Sequence, residues 1–262
     1  MRTVLKYTRK PFNPADPERR FSLTGSSIST ILRVSKYGAP KSFFTKRTRR
    51  DSTVLSDGHA YEEIIADTLR QTTRFADYVH NHDSLMSNFK TENVVAGTPD
   101  MLNEETGQGV EIKTILTHPK NLHTFYHYLD DSYEMKMKDI IEQPSSPIRN
   151  NNVFRMHLLQ CVVCMFVLNW GVGRSLDDIR YHLVYYVVER ESIMVFEIQL
   201  VSTESMGVFE AWLREISDAL SDEDAVIGAR KRYFAAMQQI LSQLRVKNIT
   251  KEVFLEDSKN IQ

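Results

Sequence analysis

The sequence is poor in cysteine and has no long hydrophobic run. Its 262 residues contain two cysteines, Cys161 and Cys164, too few for a disulfide framework, so we expect a reducing, intracellular compartment. No apolar run reaches the roughly 18–20 residues that span a bilayer. Residues 1–6 also lack the apolar segment of a secretory signal. The sequence therefore predicts neither a membrane span nor a secreted protein.

Acidic residues are scarce in the first fifty positions. This segment holds thirteen Lys or Arg and two acids, a formal charge of +11, whereas the remaining 20 basic and 32 acidic side chains give −12. From Arg33 to Arg50 there are seven basic residues and no acid. A solvated charged face is the ordinary explanation of such a run. The missing acids favour contact with a nucleic acid instead, because neutralising phosphates releases counterions.

A polar turn between two apolar segments predicts a β-hairpin near residue 100. We expect one strand at residues 93–96, a turn at 103–109 and a returning strand directly after it. Because residues two apart on a strand share a face, Glu111 and Lys113 project to one side, where Asp100 can reach both. Carboxylates bind Mg²⁺, a bound metal acidifies water, and a lysine stabilises developing negative charge. The set suits phosphodiester hydrolysis; a surface hairpin with one salt bridge is the simpler alternative.

Two predicted helices carry further candidate residues. Residues 58–69 have apolar side chains at helical spacing, with Glu62 at the margin of the apolar stripe. Residues 154–170 predict an almost wholly apolar core helix. Gln160 is its conspicuous polar residue, and a buried amide needs hydrogen-bond partners. The two cysteines of this helix are interpreted as buried hydrophobic residues rather than a metal site.

A hydroxyl-rich turn at residues 24–27 predicts the N-terminus of another helix. Free backbone N–H groups and the helix dipole attract phosphate at such an end, and Ser26 adds a hydroxyl. Arg19 or Arg20, just upstream, can grip a phosphate with two hydrogen bonds. An ordinary capped helix is the simpler alternative.

The whole chain, residues 1–262, is interpreted as a single domain. Residues 181–188 and 193–201 are rich in β-forming side chains and predict a hairpin that completes the sheet. The expected parts are an irregular lead-in at 1–18, a core at 19–201, two amphipathic helices within 202–245, at about 204–221 and 223–245, and a tail at 246–262.

Four of these blocks occur in an order typical of a known nuclease family. The matching segments are Thr24-Gly25-Ser26-Ser27-Ile28 after Arg19-Arg20, Gly58-His59-Ala60-Tyr61-Glu62, Thr98-Pro99-Asp100 with Glu111-Ile112-Lys113, and Gln160. Over roughly residues 19–201 the chain resembles the PD-(D/E)XK nuclease superfamily, in the branch typified by bacteriophage lambda exonuclease and viral alkaline nucleases.

The resemblance implies an α/β fold with a restriction-endonuclease-like core, a central mixed β-sheet flanked by helices. It implies that Asp100, Glu111 and the main-chain oxygen of Ile112 ligate Mg²⁺, for which Mn²⁺ can substitute. Lys113 would position the attacking water. The other residues implied to complete the catalytic site are Glu62 and Gln160, and those implied to receive a 5′-phosphate are Arg19 or Arg20, Ser26 and Thr98.

The implied activity is a metal-dependent exodeoxyribonuclease that digests linear duplex DNA from a 5′-phosphorylated end. Its implied setting is viral or phage recombination or genome processing, in the cytoplasm or nucleus of a host cell. A single-strand annealing protein and further copies of the chain are the implied protein partners. Two alternatives stay open: an endonuclease of the same superfamily that cuts DNA or RNA, and a non-catalytic nucleic-acid-binding module with a structural hairpin.

Overall fold

The structure of the protein is a computed structural model. It describes residues 8–11, 23–24, 53–81, 83–88, 94–115, 134–136, 152–169, 175, 178–200, 202, 207, 210–211 and 239–255. Its strands, in chain order, are β1 (Thr8–Pro11), β2 (Leu23–Thr24), β3 (Val79–His80), β4 (Asp83–Asn88), β5 (Val94–Gly97), β6 (Met101–Asn103), β7 (Gln108–Ile115), β8 (Glu134–Lys136), β9 (Arg180–Val187), β10 (Ser192–Leu200) and β11 (Leu244–Asn248). Its helices are α1 (Thr53–Arg70), α2 (Asn152–Asn169) and α3 (Thr250–Leu255), with a 3₁₀ turn at Val188–Arg190.

Seven strands form a mixed sheet in the order β3-β6-β7-β9-β10-β11-β8. Strands β7 and β9 are parallel, and the other described neighbours in this sheet are antiparallel. Parallel neighbours need a long crossover, and α2 lies in the connection between β7 and β9. The predicted hairpin of β9 and β10 is confirmed. The fold is therefore α/β, with helices packed on a mixed sheet.

The four remaining strands form a smaller sheet in the order β1-β4-β5-β2. The strand predicted at residues 93–96 to lead into the hairpin belongs instead to this sheet, where the described residues Val94–Gly97 form β5. The hairpin is made by β6 and β7. Pro99 explains the break, because proline lacks an N–H group and cannot donate to the hydrogen-bond ladder of a sheet. The chain leaves one sheet at Gly97 and enters the other at Met101.

Helix α2 packs against β4 and β5 of the smaller sheet and against β7 and β9 of the larger one. A helix between two sheets has no solvent-facing side, which explains why its sequence is apolar all round. Cys161 and Cys164 are buried free thiols, as predicted. A Cβ atom on Gly97 would lie 3.0 Å from the Cys164 sulfur, so glycine permits the close approach of β5 to the helix.

Helix α1 packs against β7 and β3. Its residues Ile65 and Leu69 share one core cluster with Val110 and Ile112 of β7. The intervening residue Glu111 faces away from this cluster and contacts α2. Strand β7 thus presents aliphatic side chains to α1 and charged side chains to the side of α2, as the alternation of its sequence dictates.

Buried His182 also belongs to the α1 side of the sheet, since it lies opposite Val110 in the β7–β9 register. The rings of Phe75 and Tyr78 meet it edge-on, at centroid distances of 4.9 and 6.1 Å. Within the described ranges neither ring nitrogen makes a close hydrogen bond, but Nε2 lies 3.9 Å from a Glu197 carboxylate oxygen and the Gly109 backbone opposes the lowering of the pKa. Burial first, and then the positive charge of Arg74, lower the pKa of His182 to about 3. The imidazole is therefore neutral at physiological pH.

Three expectations about the two ends of the chain are wrong. The predicted tail from residue 246 contains most of β11 and all of α3, and Val246, Ile249 and Val253 are buried. The predicted helix at 223–245 stops before Leu244, where apolar and polar residues begin to alternate as in a strand. The predicted irregular lead-in at 1–18 contains β1.

Other expectations fall on parts of the chain outside the described residues, including the helix after Ser26 and the basic segment from Arg33 to Arg50. Among the described helices, none has the length and apolar character needed to cross a lipid bilayer.

Candidate active site

The β6–β7 turn is closed by Asn103. Its side-chain oxygen accepts hydrogen bonds from the N–H groups of Glu105 and Thr106, at 3.1 and 3.0 Å. Its carbonyl accepts one from the N–H of Gly107 at 2.8 Å. Gly107 has a φ of 65°, a left-handed conformation that glycine adopts without strain. Asparagine and glycine at these positions therefore fix where β7 begins relative to β6.

Asp100 lies immediately before β6, three residues after the end of β5. Its N–H donates to the Val110 carbonyl at 2.9 Å, and its carboxylate accepts a 2.6 Å hydrogen bond from the N–H of Ile112. Strand β6 begins at Met101, which lies opposite Val110, and β7 continues beyond Val110 as far as Ile115. The Asp100 carboxylate therefore takes the place of a strand partner for Ile112. Because the N–H and C=O of one strand residue point to the same side, the Ile112 carbonyl faces this same edge.

Glu111 is the most buried acid at the site, with 1% of its surface exposed. One carboxylate oxygen accepts hydrogen bonds from both the Lys113 ammonium and the Gln160 amide. The other oxygen, Oε2, is buried and has no hydrogen-bond partner among the described residues. The predicted shared face of Glu111 and Lys113 is thus observed, and α2 supplies Gln160 to the same carboxylate.

Glu62 approaches from α1. Its carboxylate lies 3.2 Å from Nε2 of His80 on β3, and both side chains are mostly buried, with 20% and 18% exposed. Its negative charge is close enough to raise the pKa of both Asp100 and Glu111. Glu63, the next residue on the helix, is exposed. Of the two adjacent glutamates, only Glu62 belongs to the site.

The site is crowded with negative charge. Burial, followed by the charge of Glu111, raises the pKa of Asp100 well above its usual range. Burial likewise raises the pKa of Glu111, although the Lys113 ammonium opposes the shift. Burial alone would lower the pKa of Lys113, but the Glu111 and Asp100 carboxylates raise it above its usual value. With all three carboxylates ionised, the single Lys113 ammonium would leave this group with a formal charge of −2.

These residues fit a divalent cation. An ion of charge +2 would balance the carboxylates and lower the cost of ionising them, and hard cations such as Mg²⁺ prefer oxygen ligands. The unpartnered Oε2 of Glu111 is a buried acceptor that such an ion would satisfy. The fitting oxygen donors are those of Asp100, Glu111 and the Ile112 main chain. Within the described ranges, no group of three or more His, Cys, Asp or Glu side chains is arranged as a metal site; this donor set needs only two.

The structure brings most of the predicted site residues together. Asp100, Glu111, Ile112, Lys113 and Gln160 lie in one network, and Glu62 acts on it electrostatically. Thr98 is partly buried two residues before Asp100. Arg19, Arg20 and Ser26 lie outside the described residues, so their predicted role in phosphate binding stays a prediction.

Two residues at the site were not found from the sequence. His80 contacts Glu62, and buried Asn81 holds the backbone on either side of the Pro99–Asp100 peptide bond. Their segment has no motif, and their partners lie some twenty residues away in either direction along the chain, so sequence periodicity carried no signal for them.

No protein-family model matches this chain, and no curated protein is detectably similar to it in sequence.

Proposed function

We propose that the chain is a Mg²⁺-dependent phosphodiesterase that hydrolyses DNA, built on a PD-(D/E)XK core. The observation that carries the proposal is the convergence of Asp100, Glu111 and Lys113 at the edge of the β6–β7 hairpin, where one Glu111 oxygen has no hydrogen-bond partner in the described part of the chain. A structural salt bridge would not need a second, partly buried acid beside buried Glu111. Uncompensated buried charge costs stability, and function is the usual reason to retain it.

Each residue of the site has a definite part in the proposed reaction. Asp100, Glu111 and the Ile112 carbonyl would hold the metal, which when bound polarises a phosphate oxygen and acidifies a water molecule. Gln160 donates to Glu111 and fixes the direction of its carboxylate. Lys113 carries three N–H donors; one is used by Glu111, and the others are suited to orienting a water molecule and to stabilising negative charge on the phosphate.

The basic N-terminal segment supports DNA as the substrate. Thirteen Lys or Arg in the first fifty residues provide a polyanion-binding charge beside an otherwise acidic chain. We further propose a preference for 5′-phosphorylated ends of linear duplexes. A terminal phosphate carries about one more negative charge than an internal phosphodiester, and the hydroxyl-rich turn with Arg19 or Arg20 provides the donors that such a charge selects.

The test is a cleavage assay on linear duplexes labelled at either end, with and without 5′-phosphate, alongside closed circular duplex. We expect Mg²⁺-dependent digestion of linear DNA that is faster with 5′-phosphate, and resistance of the circle. Asp100→Ala should abolish digestion. The double variant Arg19→Ala/Arg20→Ala should digest both linear duplexes at the same rate.

Arg70→Ala is a suitable control, since Arg70 is exposed on α1 and forms an ion pair with the exposed Asp67. Rapid cutting of the closed circle, with no effect of 5′-phosphate, would replace the exonuclease proposal with the endonuclease alternative. Full activity of Asp100→Ala would refute the site itself. DNA binding without any Mg²⁺-dependent cleavage would favour the non-catalytic binding module.

A further inference from the structure

His80 and Asn81 link two parts of the site that are far apart in the sequence. His80 lies on β3, opposite Met101 in the β3–β6 register. The next residue, Asn81, donates its backbone N–H to the Asp100 carbonyl at 2.8 Å and its side-chain amide to the Pro99 carbonyl at 2.9 Å. Asn81 is 7% exposed. The backbone at His80 is therefore fixed to the segment that carries Asp100.

The His80 side chain reaches in the other direction, to α1. Its Nε2 lies 3.2 Å from a Glu62 carboxylate oxygen. When Glu62 is ionised, its carboxylate only accepts hydrogen bonds, so His80 donates to it from a protonated Nε2. Glutamate has three side-chain torsions and loses rotamer freedom when it is held in one geometry. The helix alone does not define where this carboxylate points.

Glu62 acts on the metal site from that position, because its charge raises the pKa of both Asp100 and Glu111. The contact between Glu62 and His80 also differs from the surface ion pair of Asp67 and Arg70 on the same helix. Asp67 and Arg70 meet at 3.5 Å with 65% and 47% of their side chains exposed, whereas Glu62 and His80 are mostly buried. An exposed pair contributes little, but a mostly buried hydrogen bond can hold a carboxylate in place.

We propose that His80 is a positioning residue that directs the Glu62 carboxylate toward the Asp100–Glu111 site, using the Asn81 contacts as its fixed support. The inference rests on the proposed metal-dependent activity and extends it. Outer partners of metal-site carboxylates are part of such sites, and their loss typically costs about 10–100-fold in metal affinity or activity.

The test compares His80→Gln with His80→Asn. A glutamine amide can place an N–H near the position of the imidazole Nε2, whereas the asparagine amide is one methylene group shorter and does not reach Glu62. Both replacements are polar at a partly exposed position, so both variants are expected to fold, which thermal unfolding checks. Arg70→Asn serves as the matched control, because it removes the partner of another carboxylate on the same helix.

Two measurements are made on each variant: the affinity for Mn²⁺, by electron paramagnetic resonance, and kcat and KM for a linear duplex. We expect His80→Asn to weaken Mn²⁺ binding and lower kcat by about 10-fold or more, with KM for DNA unchanged. His80→Gln should retain most of both, and Arg70→Asn should match the wild-type protein. In a Glu62→Gln background, His80→Asn should add little further loss, because the residue acts through Glu62.

The outcomes separate this inference from the function on which it rests. If the wild-type protein cleaves DNA and His80→Asn matches it in kcat and Mn²⁺ affinity, His80 has no positioning role and the nuclease proposal stands. Equal losses in His80→Gln and His80→Asn, or full additivity with Glu62→Gln, would also overturn the inference. If the wild-type protein neither binds Mn²⁺ nor cleaves DNA, both proposals fail together.

Discussion

The substitution Asp100→Asn tests whether the charge at the hairpin is kept for a metal ion. Asparagine preserves the shape of the side chain and an oxygen that can accept the 2.6 Å hydrogen bond from Ile112. It removes one of three carboxylates around a single ammonium, so the formal charge changes from −2 to −1. Because burial and the neighbouring Glu111 raise the pKa of Asp100, its ionised form destabilises the folded protein without metal.

Without metal, the Asp100→Asn protein should therefore be more stable than the wild-type protein. With Mg²⁺, only the wild-type protein should gain stability. Relieving an uncompensated buried charge should stabilise the metal-free variant by about 1 kcal/mol or more. For the wild-type protein, Mg²⁺ at about ten times its dissociation constant adds about 1.4 kcal/mol. In a chain of this size that amounts to a rise in Tm of about 3–6 °C. The variant should have the higher Tm without Mg²⁺, lose the rise with Mg²⁺, and lose cleavage.

Thermal unfolding followed by circular dichroism, with and without Mg²⁺, measures these shifts. Asp67→Asn is the control, because it removes an exposed carboxylate from α1 and should change neither Tm nor its response to Mg²⁺. A lower Tm for metal-free Asp100→Asn, together with an unchanged Mg²⁺ response, would show that Asp100 has a structural role and would refute the argument from charge.

Three further predictions concern neighbouring parts of the molecule. Lys113→Ala should lower the cleavage rate by roughly 10²–10³, the effect of losing one electrostatic donor, while keeping the Mg²⁺-dependent rise in Tm; loss of that rise would contradict its role. Gly109→Ala should destabilise the fold by about 1–3 kcal/mol in urea unfolding, because the new Cβ atom would lie 2.5 Å from the ring of buried Tyr181; unchanged stability would contradict the packing. His182 has a lowered pKa of about 3, so the unfolded chain binds the additional proton below its ordinary pKa of 6.5 and stability falls as pH falls. Between pH 7 and pH 5 the wild-type protein should lose about 2 kcal/mol more than His182→Gln in urea titrations, and parallel pH curves for the two proteins would show that His182 does not titrate in this way.

Local sequence patterns predicted the elements that have a uniform composition. Helix α2 is apolar over its whole length, and β9 and β10 are rich in β-forming residues separated by a short polar turn, so both were predicted close to their observed bounds. The site residues on β7 were also predictable, because the two-residue spacing of Glu111 and Lys113 fixes a shared face whatever the rest of the sheet does.

Features that depend on distant partners were not predictable in the same way. The segment Val94–Gly97 has the composition of a strand, but its sequence does not specify which of two sheets it joins. Strand β11 was not predicted, because the helical pattern of the preceding sequence continues to within a few residues of Leu244, where the strand begins. The contact of His80 with Glu62 depends on how α1 lies against β3, and that packing is set by the whole core.

The alternation along β7 has a consequence for folding as well as for chemistry. A shift of β7 by one residue against its neighbours would turn Glu111 and Lys113 into the cluster around Ile65 and Leu69, and would turn Val110 and Ile112 toward the acids. Two charges without water or suitable partners make that arrangement costly. The residues proposed to bind metal therefore also exclude the neighbouring register, so a substitution that removes their charge removes some of the information that aligns the sheet.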